Sequence, residues 1–219
     1  GEAARVSEDR PALSPAPAAG TGIQTRLVSD PEALAALVAE LASAVLISFD
    51  TETTSTDEMT ANLVGISLAV KAGEGWYIPV GHRHGAQLPL EQVISALRPA
   101  LQDAHIPKIG HNLKYDLIML ARYGIRVTPL AFDTMLAEWV RDPNSRDLGL
   151  KNLALVRLGL EMTHIEALIG SGKKQISMAE VDIQTAAEYA AADAETVVRL
   201  KPLLEADLQR FPRLASLFA

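Results

Sequence analysis

Two carboxylates, Asp50 and Glu52, stand two positions apart in the segment FDTET, residues 49–53. The segment begins at the last residue of a mostly apolar stretch, residues 44–49. The apolar stretch predicts a buried strand, and side chains at positions i and i+2 of a strand point to the same face. Two anions on one face beside a core repel each other and resist the loss of water. The pair therefore indicates either a cation bound between Asp50 and Glu52 or a turn at the strand end that leaves both acids in water.

Two further polar pairs interrupt apolar segments. Asn112 and Asp116 lie four positions apart in GHNLKYD, residues 110–116, and Tyr189 and Asp193 lie four apart in YAAAD, residues 189–193. Four positions make about one helical turn, so each pair is predicted to share one face of a helix. The three alanines of YAAAD keep that face flat for a neighbouring element or a ligand. The alternative for each pair is structural: a helix cap with a surface charge, and a core tyrosine beside a surface acid.

Taken together, the four acids favour a site for hard divalent cations. Carboxylate oxygens without cysteine suit Mg²⁺ or Mn²⁺. Four carboxylates can hold two such ions roughly 4 Å apart, an arrangement suited to phosphodiester hydrolysis. The histidines are weaker candidates: His82 and His84 fall in a predicted loop with no third ligand nearby, which favours a solvated loop. His111 is expected beside the site or at the surface rather than as a ligand.

The composition limits the class of protein. The chain has 219 residues, of which 48% are apolar, and this suits one sizeable domain. It has no cysteine, so disulfides and thiolate metal sites are excluded and a reducing cytoplasm is compatible. The formal net charge of −7 counts against a protein that coats duplex DNA, but not against a hydrolase built of carboxylates. Neither an apolar run of about 18 residues nor a signal peptide is visible.

Periodicity along the chain predicts a mixed α/β sheet flanked by helices, with part of the sheet formed by an antiparallel hairpin. Predicted strands cover residues 24–28, 45–49, 62–70, 76–80 and 107–110. Predicted helices cover residues 89–102, 113–123, 131–140 and 183–208, with one more that begins at Pro31 and two short ones after residue 147. Pro202 is expected to kink or break the last helix. Residues 1–22 are predicted to be a linker or disordered tail, residues 23–210 the globular domain, and residues 211–219 the start of a connection.

The three polar segments carry a resemblance to a known family. FDTET, NLKYD and YAAAD, in this order and spacing, resemble the three motifs of the DEDD exonucleases, in the variant with tyrosine in the third motif. ANLVGISLAV, YIPV, GHNLKYD and AFDTMLAE are similar to the 3′–5′ proofreading domain of bacterial family A DNA polymerases, the DNA polymerase I type. The similarity runs from about residue 45 to residue 208. It implies a ribonuclease H-like fold, a mixed sheet of an antiparallel hairpin plus parallel strands with helices on both faces.

The resemblance also implies a role for each site residue. Asp50 would bridge two Mg²⁺ (or Mn²⁺) ions, and Glu52 and Asp193 would complete the site of the ion that activates water. Asp116 would act mostly through waters on the ion that faces the leaving 3′ oxygen. Tyr189 would hydrogen-bond the attacking water and direct it at phosphorus. The product would be a nucleoside 5′-monophosphate.

Contacts to DNA are implied near the terminal nucleotide. Asn112 would contact that nucleotide, and the backbone at Thr51 and Thr53 would lie against its sugar. The family often places an apolar side chain that wedges against the terminal bases where this chain has Thr56. Either Met59 takes over that contact or the stacking of the terminal bases is weaker.

The electrostatic contribution to binding the DNA phosphate backbone is expected to be modest. The candidate phosphate contacts are Lys114, Arg146, Lys173 and Lys174, and the alternative for each is a solvated surface cation. Aromatic residues make up 5% of the chain, which is little for a long stacking platform. A site that takes only the last few nucleotides fits this composition.

The expected function is therefore that of a 3′–5′ exodeoxyribonuclease, the proofreading domain of a DNA polymerase I, acting on single-stranded or mismatched DNA 3′ ends. Its expected partners are a DNA 3′ end and the polymerase and 5′ nuclease domains of a longer parent chain, in a cytoplasmic, nucleoid-associated monomer. One alternative is an RNA-trimming exonuclease of the ribonuclease D type, which uses the same acids. A second is an inactive structural spacer, against which the four intact acids argue.

Overall fold

A six-stranded sheet forms the centre of the computed structural model, which describes residues 22–218. The predicted tail therefore lies almost wholly outside the described residues. In chain order the strands are β1 (Gln24–Leu27), β2 (Ile47–Thr53), β3 (Leu63–Lys71), β4 (Glu74–Pro79), β5 (Lys108–Gly110) and β6 (Leu130–Asp133). Across the sheet their order is β1-β4-β3-β2-β5-β6.

The sheet is mixed, as predicted. Strand β3 is antiparallel to both β2 and β4, and the β3–β4 hairpin turns at Gly73, whose φ of 87° suits glycine. The pairs β1–β4, β2–β5 and β5–β6 are parallel. Strand β2 therefore lies between an antiparallel and a parallel neighbour, near the middle of the sheet.

Helices connect and cover the strands. They are α1 (Pro31–Ala42), α2 (Leu90–Gln102), α3 (Lys114–Arg122), α4 (Thr134–Arg141), α5 (Leu150–Leu158), α6 (Glu166–Ile169), α7 (Ile183–Gln209) and α8 (Pro212–Phe218). Two 3₁₀ turns, Gly172–Lys174 and Met178–Glu180, precede α7. Helix α1 begins as its sequence predicts, because the Asp30 side chain accepts a hydrogen bond from the Ala33 amide and Pro31 occupies the first turn.

Alternate residues of the strands face two different sides of the sheet. On one side, an α1–α3 core joins Phe49, Ile66 and Leu68 of the sheet to the apolar faces of α1, α2 and α3. On the other, an alanine core joins Val64 and Tyr77 to the start of α7. Helices thus cover both faces, and each fully buried Leu, Ile or Phe in these cores contributes about 1.5–3 kcal/mol.

Helix α7 is the longest element, with 27 residues, and it packs across β1, β2, β3 and β4. Small residues permit a close approach: a Cβ atom added at Gly75 of β4 would lie 2.5 Å from the Ala191 carbonyl oxygen. The helix runs unbroken through Pro202, so the predicted break is wrong. Burial of Leu200 and Leu204 on either side of the proline offsets the helix-breaking cost of about 3 kcal/mol.

The end of α7 belongs to a C-terminal core, which joins its last turns to β5, β6, α4, α5 and α8. Helix α8 lies within residues 211–219, and the ring of its Phe218 packs 4.8 Å from the ring of Phe132. Nowhere in residues 22–218 does a helix combine the length and apolar character needed to cross a membrane.

Two boundaries differ from prediction. The predicted strand 45–49 is displaced to Ile47–Thr53, with Val45 86% exposed, so Asp50 and Glu52 lie inside β2 rather than at its end. The predicted helix 131–140 starts only at Thr134, because the preceding residues form β6 and pair in parallel with β5. In both cases a neighbouring strand extends the ladder beyond what local apolar pattern indicates.

Candidate active site

Three carboxylates converge where β2 meets α7. Oxygens of Asp50, Glu52 and Asp193 all lie within 4.8 Å of one another. Asp50 and Glu52 share one face of the strand, as their spacing predicts, and α7 presents Asp193 to that face. Glu52 and Asp193 are 6% and 7% exposed and Asp50 is partly buried, so the three acids have little access to water.

The cluster is electrostatically strained without a cation. Burial, followed by repulsion from Asp116, Glu52 and Asp193, raises the pKa of Asp50 well above its ordinary value. Burial and the charge of Asp193 raise the pKa of Glu52 to about 8. Burial also raises the pKa of Asp193, although a neighbouring lysine opposes the shift. A dense group of oxygen ligands with raised pKa values fits a divalent cation, because a metal ion relieves the repulsion and replaces the lost water.

Asp116 stands next to this group rather than within it. Its carboxylate accepts hydrogen bonds from the Thr51 amide at 3.0 Å and from the Thr51 hydroxyl. Burial raises its pKa to about 7, and the two bonds from Thr51 act in the opposite direction. Strand β2 therefore carries two of the four acids, Asp50 and Glu52, and holds Asp116 through the residue between them.

Asn112 does not share a helix face with Asp116, which corrects the prediction from their spacing. Helix α3 begins at Lys114, and Asn112 precedes it with a left-handed backbone, φ 55°. Asp116 lies in the first turn of α3, buried, while Asn112 is exposed. Tyr189 and Asp193, by contrast, do stand one turn apart on α7 as predicted.

Lys151 is a site residue that sequence reasoning missed. Its ammonium group pairs with the Asp193 carboxylate and lies 4.2 Å from the centre of the Tyr189 ring. Its positive charge also opposes the rise in the pKa values of Asp50 and Glu52. The sequence gives little indication of this role, because Lys151 is an ordinary lysine in the helix LKNLALVRL, 42 residues before its partner Asp193.

Tyr189 stays protonated at the edge of the cluster. Burial raises the pKa of its hydroxyl, and the charges of Asp193, Glu52 and Asp50 raise it further. The side chain is only partly buried. It can therefore offer a neutral hydroxyl, a donor as well as an acceptor, to a molecule held beside the carboxylates.

An open pocket of about 700 Å³ adjoins the cluster. One side is polar and is formed by residues 51–56 with Asn112 and Tyr115, and Glu52 connects it to the other two carboxylates, Asp50 and Asp193. The Tyr115 hydroxyl bonds the Ser55 carbonyl oxygen and lies 2.6 Å from the Thr53 hydroxyl, which fixes this side. The other side is mostly apolar: Ile165, Ile169, Ile176 and Met178 line it together with Gln175 and Ser177.

The remaining predicted contacts lie further out. Met59 is 67% exposed and does not line the pocket, so its role as a substitute wedge stays a prediction; the apolar side of the pocket comes from another part of the chain. Lys114 is exposed on the first turn of α3. Lys173 and Lys174 are exposed on the 3₁₀ turn just before Gln175 and Ile176, which do line the pocket.

The histidines have structural partners. His82 is 5% exposed and is bonded to the Tyr77 hydroxyl at 2.7 Å and the Val181 carbonyl at 3.0 Å. The predicted solvated loop is therefore wrong for His82, because the segment at Val181, just before α7, covers it, but His84 is exposed. His111 lies 2.9 Å from the Thr134 hydroxyl, and burial lowers its pKa to about 4, so it is neutral.

Comparison with known proteins agrees with this geometry. A family model described as 3′–5′ exonuclease matches residues 25–209. DNA polymerase I of Chloroflexus aurantiacus is 45% identical over 194 residues, which cover 88% of this chain and 20% of the relative. The chain spans about a fifth of the length of the curated relatives that it matches.

Solved structures share the fold. Brucella melitensis NrnC with bound Mg²⁺ has a TM-score of 0.65 at 24% identity, covering 90% of this chain and 88% of that one. Escherichia coli RNase D, an exoribonuclease involved in structured RNA processing, has a TM-score of 0.66 at 19% identity, covering 89% of this chain and 48% of that one. The expected ribonuclease H-like fold is confirmed. The chain therefore belongs to the 3′–5′ exonuclease family and is an exonuclease domain of the bacterial DNA polymerase I type.

Proposed function

We propose that this domain hydrolyses the terminal phosphodiester bond at the 3′ end of single-stranded or frayed DNA and releases nucleoside 5′-monophosphates. The observation that carries the proposal is the convergence of Asp50, Glu52 and Asp193 within 4.8 Å, beside a pocket large enough for the end of a strand. A buried cluster of acids with raised pKa values is unfavourable for the fold alone, which supports a functional reason for it.

We assign these three acids and Asp116 as the residues that hold two Mg²⁺ or Mn²⁺ ions. Bound ions of this kind supply an activated water and stabilise the charge on the leaving oxygen. The donor set supports the assignment, since all four side chains offer oxygen and the chain has no cysteine thiolate to compete with them.

The protein's own groups would orient the attacking water. Tyr189 is neutral and partly buried one turn from Asp193, so its hydroxyl can donate or accept a hydrogen bond without adding charge. Glu52 belongs to the same cluster, and its carboxylate can accept a hydrogen bond from the same water. Positioning of this kind reduces the entropy cost of bringing water to phosphorus.

The pocket would receive the terminal nucleotide. Thr51, Thr53 and Asn112 on the polar side offer hydrogen bonds to sugar and phosphate. The isoleucines on the opposite side offer a flat apolar surface to a base, which is tolerant of sequence. Thr56 lines the polar side and offers no apolar side chain to the terminal base. The apolar side chains across the pocket would make that contact instead. Lys173 and Lys174 are proposed to meet phosphates further along the strand.

A gel assay would test this function against the ribonuclease alternative. The substrates are a primer with a 3′ mismatch, the same primer fully paired, and an RNA strand of the same sequence. We expect stepwise loss of nucleotides from the mismatched DNA in Mg²⁺ and none in EDTA. Preferential shortening of the RNA would favour the RNA-trimming function, for which the shared fold of RNase D is the supporting observation.

Variants would test the roles of the acids. Asp50→Ala is expected to abolish hydrolysis and to reduce Mn²⁺ binding in titration calorimetry, because it removes a ligand. Tyr189→Phe should cost less activity than Asp193→Ala, since it removes one hydrogen bond and no ligand. Unchanged Mn²⁺ binding in Asp50→Ala would contradict the metal assignment, and no hydrolysis by the unaltered domain would favour the inactive spacer.

We further propose that the domain, residues 23–210, proofreads for a polymerase domain in the same parent chain, with residues 211–219 leading toward it and a 5′ nuclease domain elsewhere in that chain. The identity of 45% to a DNA polymerase I supports this setting. A monomer in the cytoplasm, associated with the nucleoid, is the corresponding location. A parent polymerase that carries Asp50→Ala should then misincorporate more often while its rate of synthesis is unchanged.

A further inference from the structure

One backbone position beside the pocket is conformationally unusual. Asn112 is the single non-glycine residue with positive φ in residues 22–218, and it lines the pocket next to the carboxylates. Asparagine tolerates a left-handed backbone better than most residues, but the conformation persists only when its surroundings impose it. The direction in which the Asn112 side chain leaves the chain therefore depends on what holds its backbone.

The Asp133 carboxylate holds it. One oxygen accepts hydrogen bonds from the Asn112 amide at 3.0 Å and from the Met135 and Leu136 amides at 2.9 and 3.2 Å. The other oxygen accepts one from the Leu113 amide at 2.9 Å. A single side chain thus serves as the N-cap of α4 and as the acceptor for the two amides that lead into α3.

A second contact fixes the same corner of the chain, residues 110–113. Asp133 is paired with Gly110 in the parallel β5–β6 ladder. The Thr134 hydroxyl donates to the Gly110 carbonyl oxygen at 3.3 Å and lies 2.9 Å from the His111 ring. The FDT segment of AFDTMLAE therefore contacts the GHN segment of GHNLKYD through two consecutive side chains.

From this geometry we propose that Asp133 is a positioning residue for substrate: it imposes the left-handed backbone of Asn112 and so sets where the Asn112 side chain meets the terminal nucleotide. Asp133 is absent from the pocket lining, so it acts only through Asn112. The inference rests on the proposed function, because it assumes that the pocket receives the 3′ end.

Two variants separate positioning from capping. Asp133→Ser keeps a good N-cap for α4, but its side chain is too short to reach the Asn112 and Leu113 amides as well. We expect it to raise the KM for a single-stranded DNA 3′ end about tenfold while kcat changes by less than about twofold. Asp133→Asn retains one carbonyl oxygen in the same place and should restore most of the affinity.

A double-mutant cycle then asks whether the effect passes through the Asn112 side chain. Asn112→Gly keeps the left-handed backbone but removes the amide group. In that background Asp133→Ser should add less than about a twofold further rise in KM. Equal effects of Asp133→Ser in both backgrounds, or a loss in kcat alone, would overturn the proposal.

Affinity for a fluorescent single-stranded oligonucleotide, measured in EDTA, repeats the cycle without catalysis. The same pattern is expected in Kd, with thermal melts to show that each variant is folded. If the unaltered domain releases no nucleotide from any 3′ end, the proposed function fails, and the oligonucleotide cycle still decides the role of Asp133. If the domain is active and Asp133→Ser behaves like the unaltered protein in both measurements, only the positioning role fails.

Discussion

Replacing Lys151 with methionine is expected to destabilise the metal-free protein much more than the protein in Mg²⁺. Methionine keeps an unbranched apolar stem that can still pack against the Tyr189 ring, and it removes only the charge. Without that charge, Asp193 remains beside Asp50 and Glu52 with no cation to oppose them. Mg²⁺ would replace the missing positive charge.

The size of the effect follows from burial. The side chains of Lys151 and Asp193 are 14% and 9% exposed, and removal of one partner from a buried ion pair costs about 3–5 kcal/mol. Asp193 can instead take up a proton, because burial already raises its pKa, so a loss near the lower limit, about 3 kcal/mol, is expected. For a chain of this size that corresponds to a fall in Tm of about 6–12 °C in EDTA.

Thermal unfolding in EDTA and in excess Mg²⁺ measures the difference. Lys201→Met is the matched control, since Lys201 lies on α7, the helix of Asp193, pairs with Glu205 and stands 5.4 Å from the Phe132 ring, away from the acids. This pair is 22% and 43% exposed, so its loss should cost about 0–1 kcal/mol, with or without Mg²⁺.

The reasoning would be refuted by an equal fall in Tm for Lys151→Met in EDTA and in Mg²⁺. It would also be refuted if Lys151→Met were no more damaging than Lys201→Met in EDTA. Either result would mean that Lys151 does not neutralise the acids.

Three further changes test other parts of the structure. Because burial raises the folded-state pKa of Glu52 from 4.5 to about 8, the folded protein binds more protons than the unfolded chain in that range. The contribution of Glu52 to stability is therefore lost as pH rises through about 8, and urea unfolding in EDTA should show lower stability at pH about 8 than at pH about 5. Thr51→Val removes a hydroxyl that bonds Asp116 and should cost about 1–2 kcal/mol in the same assay. Gly75→Ala places a Cβ 2.5 Å from the Ala191 carbonyl oxygen, so it should destabilise by about 1–3 kcal/mol and weaken Mn²⁺ binding in calorimetry.

The elements that sequence predicts well are those with strong local patterns. The apolar run before Asp50, the hairpin with Gly73 and the long alanine-rich helix all appear in the structure close to their predicted places. Acids set into apolar segments mark the site because burial of a charge requires a reason. Asp50, Glu52 and Asp193 were found in this way, and they do converge.

The features that sequence misses depend on contacts between distant segments. Strand β6 has four residues and exists because it pairs with β5, while its own sequence resembles the helix that follows. The left-handed backbone of Asn112 is imposed by Asp133, 21 residues away. Lys151 looks like an ordinary helix lysine until the fold brings it to Asp193.

The helix that carries Asp193 and the apolar side of the pocket differ in how firmly the fold holds them. Helix α7 takes part in the alanine core through its first turns and in the C-terminal core through its last. Its 27 residues span about 40 Å. Backbone amides near Asp193 are therefore expected to exchange with solvent mainly through global unfolding of the domain, which hydrogen-exchange measurements can check.

The apolar side has the opposite character. Helix α6 has four residues and contributes no buried side chain, and the 3₁₀ turn that follows it is exposed. Amides in residues 165–176 can exchange through brief local openings. If the pocket receives a DNA end as proposed, residues 165–176 can adjust to its bases while Asp50, Glu52 and Asp193 keep their positions.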